Sequence, residues 1–152
     1  MSAAQELAKF MAKYEPGIVR QAKQVLAKVR KKTGGAVEMV YDNYNGLVIG
    51  FGPTEKPSLA VLSVLIVADH VTLCFLQGKG LPDPGKRLQG AGNVVRHIRM
   101  EGPETIDEPE VQELVKVALE RAKVPIDPKQ KRKLVIKSVS KKQRPRRPAK
   151  RK

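Results

Sequence analysis

The amino-acid sequence predicts an α+β fold, in which a mainly antiparallel sheet of about five strands packs against helices. Apolar residues recur at steps of three and four in two N-terminal stretches and in one later stretch, which is the period of a helix. Between them, shorter segments alternate apolar and polar residues and are joined by connections of hairpin length. The helices are expected to pack on one face of the sheet, and a basic, mostly disordered tail is expected to follow the α+β domain.

The helices are predicted from their apolar stripes and from the residues at their ends. The first covers residues 3–13, and the second begins at Pro16 and ends at the glycine pair 34–35. Proline is favoured in the first turn of a helix, and glycine just after the last turn. The C-terminal helix is predicted to begin at Asp107, whose side chain would form a capping box with Glu110.

The strands of the sheet are predicted from shorter patterns. In the segments 37–41, 47–51 and 71–75, apolar residues alternate with others and therefore share one side of a strand. Segment 59–67 is apolar on both sides, as is typical of a central strand, and 94–100 is the last strand predicted. The longest apolar stretch, 59–68, is shorter than the roughly 20 residues needed to cross a bilayer, so no membrane partner is expected.

The positive charge is concentrated at the C-terminal end of the chain. The 152 residues carry a net charge of +15. Residues 123–152 contain 14 of the 30 Lys and Arg residues but one of the 15 acidic residues, a net charge of +13. Residues 1–122 carry a net charge of +2. The sequence therefore predicts a nearly neutral α+β domain, residues 1–128, and a basic tail, residues 129–152.

The composition of this tail indicates disorder and a polyanionic partner. The short apolar run 134–136 could add an edge strand to the sheet, but the rest of the tail lacks side chains that could build a core. Each of its cations can neutralise a phosphate and release a counterion, which predicts non-specific binding of DNA, RNA or another polyanion. The alternative is an extension that serves solubility. The predicted binding residues are Lys129, Lys131, Arg132, Lys133, Lys141, Lys142, Arg144, Arg146, Arg147, Lys150, Arg151 and Lys152.

The two histidines and the single cysteine are the candidate metal ligands. Strand alternation places His70 and Cys74 on one face of their strand, and His97 lies in the last predicted strand. If these strands pair, imidazole and thiolate groups would suit zinc or iron. Because no closely spaced ligand pair such as Cys-x-x-Cys is present, we expect no bound metal or cofactor.

Two arginines of the last predicted strand are candidates for binding an anionic ligand. The guanidinium of Arg96 or Arg99 could hold a carboxylate or a phosphate. The alternative is an ion pair with an acid of the same domain, Asp69 or Asp83. The possible ligand pocket consists of His70, Arg96, His97 and Arg99.

The sequence contains no recognisable catalytic set, and we expect a binding protein rather than an enzyme. The glycine-rich segment 77–92 matches neither a P-loop nor a complete Gly-x-Gly-x-x-Gly before a helix. There is no nucleophile elbow and no clear triad. The single cysteine excludes an intramolecular disulfide, which suits a reducing cytoplasm.

The segment 69–100, DHVTLCFLQGKGLPDPGKRLQGAGNVVRHIRM, resembles the signature region of the YdhG-like domain family, a group of mostly bacterial proteins of unknown function. The resemblance covers residues 3–122 and implies an α-β-α sandwich similar to frataxin. At least one family member is regarded as an iron chaperone, so the resemblance implies intracellular iron binding as an alternative function. The first two helices, however, offer only Glu6 and Glu15 where frataxin has an acidic ridge.

Overall fold

The computed structural model describes residues 1–148 and has three α-helices and six strands. The helices are α1 (Ala3–Met11), α2 (Pro16–Lys32) and α3 (Pro109–Glu120). The strands are β1 (Val37–Asp42), β2 (Leu47–Gly52), β3 (Leu62–Ile66), β4 (Val71–Phe75), β5 (Arg96–Met100) and β6 (Lys133–Val139). No helix within residues 1–148 has the length and apolar character required to span a bilayer.

All six strands form one sheet, in the order β5-β4-β3-β2-β1-β6. The first five pair antiparallel with their neighbours, and β6 pairs parallel to β1. The predicted α+β class and the mainly antiparallel pairing are confirmed. The sheet has one strand more than the five predicted, because the apolar run 134–136, a possible edge strand in the sequence, forms β6.

The three helices pack on one face of the sheet. Apolar residues of α1, α2 and α3 form one buried cluster with the alternate residues of each strand, among them Ile49, Val64 and Leu73. The opposite face carries a small cluster of Val37, Met39 and Ala60, to which no residue of the three helices belongs. The described chain is thus built of two layers with the helices on one face, as the sequence predicted, rather than of the three layers of the α-β-α sandwich that the family resemblance implies. The second face also carries polar residues that need no cover, among them the half-buried His97 and the exposed Arg99 of β5, so a further helix layer is not required.

The boundaries of α2 agree with the prediction, whereas the start of α3 does not. A short 3₁₀ helix, Pro103–Asp107, precedes α3, and Glu108 is the N-cap residue without a capping side-chain bond. The Asp107 carboxylate binds Lys28 of α2 instead of closing the predicted capping box with Glu110. Asp107 therefore forms an ion pair with a distant segment of the chain and does not cap α3 as the local pattern predicted.

The chain between α3 and β6 is held against the turn that joins α2 to β1. Gly35 has a φ of 83°, and a Cβ at this position would lie 1.9 Å from the carbonyl oxygen of Asp127. The side-chain amide of Gln130 donates to the carbonyl oxygens of Gly35 at 2.8 Å and of Pro53 at 3.1 Å. Glycine is required here because the two backbones approach so closely, and this contact directs the chain to the edge of the sheet beside β1.

Candidate nucleic-acid interface

The tail enters the sheet through β6. Leu134 and Ile136 pack against the core on the helical side, and Val135 packs against the small cluster on the other side. Val40 of β1 is paired with Ile136, and the register shifts by a bulge immediately after this pair. The possible edge strand at 134–136 is therefore confirmed, whereas the disorder predicted for the rest of the tail is not found up to residue 148. The prediction for residues 149–152 falls outside the described residues.

Residues 140–148, which we call the C-terminal arm, continue from β6 around the turn between β1 and β2. The backbone N–H of Ser140 donates to the carbonyl oxygen of Asp42 at 2.8 Å, and that of Arg144 donates to Tyr44 at 2.9 Å. The guanidinium of Arg147 reaches the carbonyl oxygen of Lys13 at 3.2 Å. The arm thus connects the end of the β1–β2 hairpin with the end of α1.

Arg146 anchors this arm in the protein interior. Its side chain is 5% exposed, and Nη2 lies 2.9 Å from an oxygen of the Asp42 carboxylate, which is fully buried. The guanidinium also donates to the carbonyl oxygens of Asn43 at 2.6 Å and Tyr44 at 3.3 Å. Buried charges require a partner and hydrogen bonds to offset the loss of hydration. Arg146 is therefore a structural residue, and its predicted role in binding a polyanion is corrected.

The Asp42 carboxylate is held in its ionised form by this environment. Burial alone would raise its pKa, but hydrogen bonds from Lys13, Gln143 and Arg146 outweigh burial and hold the pKa below the usual 3.8. The Lys13 ammonium lies 2.8 Å from the second carboxylate oxygen. A carboxyl group with a lowered pKa in the folded state contributes stability above its unfolded pKa and loses it as the pH falls through the folded pKa.

We expect Asp42→Asn to destabilise the protein at neutral pH and to lose this effect in acid. The asparagine cannot ionise, so the ion pairs with Lys13 and Arg146 are missing at every pH. The difference in unfolding free energy between the wild type and the variant should be constant from about pH 7 to about pH 5 and should shrink below about pH 4. Urea unfolding at a series of pH values measures this difference, and a gap that persists unchanged in strong acid would contradict the role of Asp42.

A second buried acid binds the beginning of β6. Glu38 is 2% exposed and faces the helical side of the sheet, where Arg132 lies 2.8 Å away and Arg30 of α2 lies 2.9 Å away. Arg132 also donates to the carbonyl oxygens of Arg30 and Thr33, at 2.7 and 2.8 Å. Arg132 is thus a structural residue as well, although it was predicted to bind a polyanion.

The remaining cations of the tail lie on the surface. Of the predicted residues within 129–148, Lys133 pairs with Glu55 at 2.6 Å, and both side chains are about half exposed. Apart from Arg132 and Arg146, the others have no carboxylate within ion-pair distance among the described residues. Lys137, which the prediction left out, is exposed too, and its ammonium donates to the carbonyl oxygen of Glu55. We call the following exposed set the cationic edge: Lys129, Lys131, Lys137, Lys141, Lys142, Arg144 and Arg147. The predicted residues Lys150, Arg151 and Lys152 lie outside the described part of the chain.

The candidate metal ligands are only partly brought together. Cys74 of β4 lies directly opposite His97 of β5, as the pairing hypothesis required. His70 lies before β4, and its Nδ1 is 2.7 Å from Asp69. Burial raises the pKa of the Cys74 thiol, which disfavours the thiolate that a metal would bind. Within residues 1–148, no three His, Cys, Asp or Glu side chains are grouped so that they could hold one ion.

We expect added Fe(II) or Zn(II) to leave the melting temperature of the protein unchanged. A bound ion would stabilise the folded state by mass action and raise the melting temperature. Because no ion is expected to bind, the triple variant His70→Ala, Cys74→Ala and His97→Ala should likewise show no change in melting temperature when metal is added. Thermal unfolding with and without metal, followed by calorimetric titration, measures this. A stoichiometric isotherm in the micromolar range that disappears in the triple variant would overturn the expectation.

The candidate ligand pocket separates into two sides of one strand. Arg96 and Ile98 share a side of β5, with Ile98 in the core, whereas His97 and Arg99 lie on the other side. The Arg96 guanidinium donates to the carbonyl oxygens of Gly92 and Val95, at 2.7 and 2.8 Å. The predicted alternative, an ion pair of Arg96 with an acid, is not formed among the described residues.

The acids proposed for that pairing have other contacts. Asp83 accepts hydrogen bonds from the backbone N–H groups of Arg87 and Leu88, at 2.8 and 2.9 Å. The hydrogen bond from His70 lowers the pKa of Asp69, with a smaller contribution from the charge of Arg99. The four residues of the predicted pocket therefore do not converge on one ligand.

Comparisons of the chain with protein-family models, with curated proteins and with solved structures gave no match. The resemblance to YdhG-like domains therefore remains a prediction from the segment 69–100, and the candidate function must be argued from the cationic edge itself.

Proposed function

We propose that the protein binds nucleic acid without sequence choice, through contacts between the cationic edge and phosphate groups. The observation that carries this proposal is a set of seven exposed cations on one continuous segment, 129–147, in which there is no acidic residue. Lysine and arginine contacts to phosphates supply affinity but carry no sequence information. Non-specific binding follows from that chemistry.

The fold supports this proposal by separating structural from exposed cations. Arg132 and Arg146 neutralise the two buried acids Glu38 and Asp42, so the backbone of the segment is fixed at both ends of β6. The remaining cations are carried by this fixed backbone. Less conformational freedom is lost when such a segment binds than when a disordered tail binds.

The length of β6 spreads these charges over a useful distance. Lys129 and Lys131 precede the strand, and the cations of the arm follow it. Seven residues at a rise of about 3.3 Å each place the two groups roughly 20 Å apart. Duplex DNA carries one charge per about 1.7 Å of its axis, so this distance corresponds to about twelve phosphates of the two strands together.

We expect the affinity for DNA to fall steeply with salt concentration, and we expect this dependence to arise from the charges of the cationic edge. If about six phosphates are neutralised, affinity for a DNA duplex should fall on the order of a thousandfold between about 50 and about 200 mM salt. In the variant Lys141→Gln, Lys142→Gln and Arg144→Gln, the slope of log affinity against log salt should decrease by up to about 2.7, or 0.9 per lost contact. Fluorescence anisotropy with a labelled duplex measures both quantities.

A matched control removes the same charge elsewhere. Lys79, Lys116 and Lys123 are exposed and lie outside the cationic edge, and their replacement by Gln lowers the net charge equally. This control is expected to retain most of the slope. Equal losses in the two variants would mean that net charge alone drives binding, and absence of binding at low salt would favour the solubilising role; either result would refute the proposal.

A further inference from the structure

The turn between β1 and β2 presents an aromatic ring within the cationic edge. Tyr44 is 49% exposed, and the Arg144 guanidinium lies over its ring, 5.5 Å from the centroid. The N–H of Arg144 also donates to the carbonyl oxygen of Tyr44, so the ring and the arm are joined by backbone as well as by side chain. The tail itself contains no aromatic residue. The fold places Tyr44, from the turn between β1 and β2, beside it.

This exposure is exceptional for an aromatic residue of this chain. All three tyrosines and all three phenylalanines belong to the described residues. Tyr14, Phe51 and Phe75 are buried, and the other two are partly buried. A half-exposed ring takes no part in the core, and a ring beside several cations is the combination found where single-stranded nucleic acids bind.

We propose that Tyr44 stacks on an unpaired base, so that the cationic edge prefers single-stranded to duplex nucleic acid. This inference rests on the proposed nucleic-acid binding and names its substrate class. Arg144 covers one face of the ring, and a base can stack on the other while Lys141 and Lys142 contact the neighbouring phosphates. The bases of a duplex are not accessible to such a ring, since exposing one requires unstacking it. Every base has an aromatic face, so the preference is for strandedness and not for sequence.

The test compares a single strand and a duplex of the same sequence, about 20 nucleotides long. The wild type should bind the single strand more tightly. Tyr44→Leu retains apolar bulk but loses the aromatic face, and it should weaken single-strand binding on the order of tenfold, within the range known for base stacking. Its affinity for the duplex should change by less than about twofold. Tyr44→Phe retains the ring and should behave as the wild type.

Tyrosine fluorescence provides a second readout that does not depend on the leucine variant. The chain has no tryptophan and three tyrosines, of which Tyr14 and Tyr41 are not exposed. The single strand should quench the emission of the wild type, and it should quench that of Tyr44→Phe much less although this variant binds equally well. The duplex should cause little quenching in either.

The outcomes separate this inference from the proposal on which it depends. If the duplex binds but Tyr44→Leu loses affinity for both ligands equally, or for neither, the stacking role of Tyr44 is wrong while nucleic-acid binding stands. Unchanged tyrosine emission on binding of the single strand would also overturn it. If neither ligand binds at low salt, the proposed function itself fails.

Discussion

Ending the chain after Pro128 is expected to abolish cooperative folding of the remaining residues. The truncation removes β6, whose three apolar residues 134–136 cover both sides of the sheet edge. It also removes Arg132 and Arg146, the partners of two buried carboxylates. Removing one partner of a buried ion pair costs about 3–5 kcal/mol, and domains of this size are stable by about 5–15 kcal/mol. The combined loss is comparable with the whole stability.

Circular dichroism during thermal unfolding measures this effect, and a synthetic peptide of residues 129–148 provides the complementary test. Added in trans, the peptide should restore a cooperative transition, because it supplies the strand and both arginines. The variant Lys141→Gln, Lys142→Gln and Arg144→Gln is the control, since it removes arm cations but keeps the strand and the two anchors. A truncated chain that melts like the full chain would show that β6 and the arm are dispensable to the fold, contrary to this account.

Arg146→Met is expected to be the most damaging single substitution in the arm, at about 3 kcal/mol. The methionine fills part of the buried space but leaves Asp42 with Lys13 as its remaining cation among the described residues. The carbonyl oxygens of Asn43 and Tyr44 lose a donor as well. The estimate is at the lower end for a broken buried pair, because Lys13 still contacts the carboxylate and because Arg146 Nε has no partner within residues 1–148.

The matched control is Arg144→Met, the same change two residues earlier. Arg144 is exposed and contacts the Tyr44 ring, an interaction worth about 0.5–1 kcal/mol at the surface. Chemical denaturation should therefore separate the two variants by at least about 2 kcal/mol. In the double variant Asp42→Asn with Arg146→Met, the loss should be smaller than the sum of the single losses, because the two side chains interact directly. Equal effects of Arg144→Met and Arg146→Met would refute the anchoring role.

The sequence shows that the tail is rich in arginine, but it does not show which arginines stabilise the fold and which are exposed for contact with a ligand. Arg144 and Arg146 lie in the same run of basic residues and proline. Their roles differ because Arg146 reaches an acid 104 residues away in sequence, and Arg132 reaches one 94 residues away. A count of charged residues does not distinguish an arginine in solvent from one in a buried ion pair. The composition of the tail therefore predicted disorder around both arginines.

The sequence of β1 contains one indication that some arginines of the tail are buried. The alternation 37–41 placed Val37, Met39 and Tyr41 on one side of the strand, which left Glu38 and Asp42 with Val40 on the other. In the structure that other side faces the helices, so both acids are buried beneath α1 and α2. Two acids on a core-facing side require cations from elsewhere, and a tail rich in arginine is the obvious source.

The sequence by itself determined the three helices, the five antiparallel strands, the α+β class and the concentration of positive charge in the C-terminal segment. These depend on local periodicity and on local composition, which a chain displays wherever its segments finally pack. The tertiary structure alone decided that β6 pairs parallel to β1, that Arg132 and Arg146 bind the buried acids, and that Tyr44 lies beside the arm. These depend on contacts between residues far apart in sequence, for which the backbone hydrogen bonds of a sheet edge and the desolvation of Glu38 and Asp42 provide the energy.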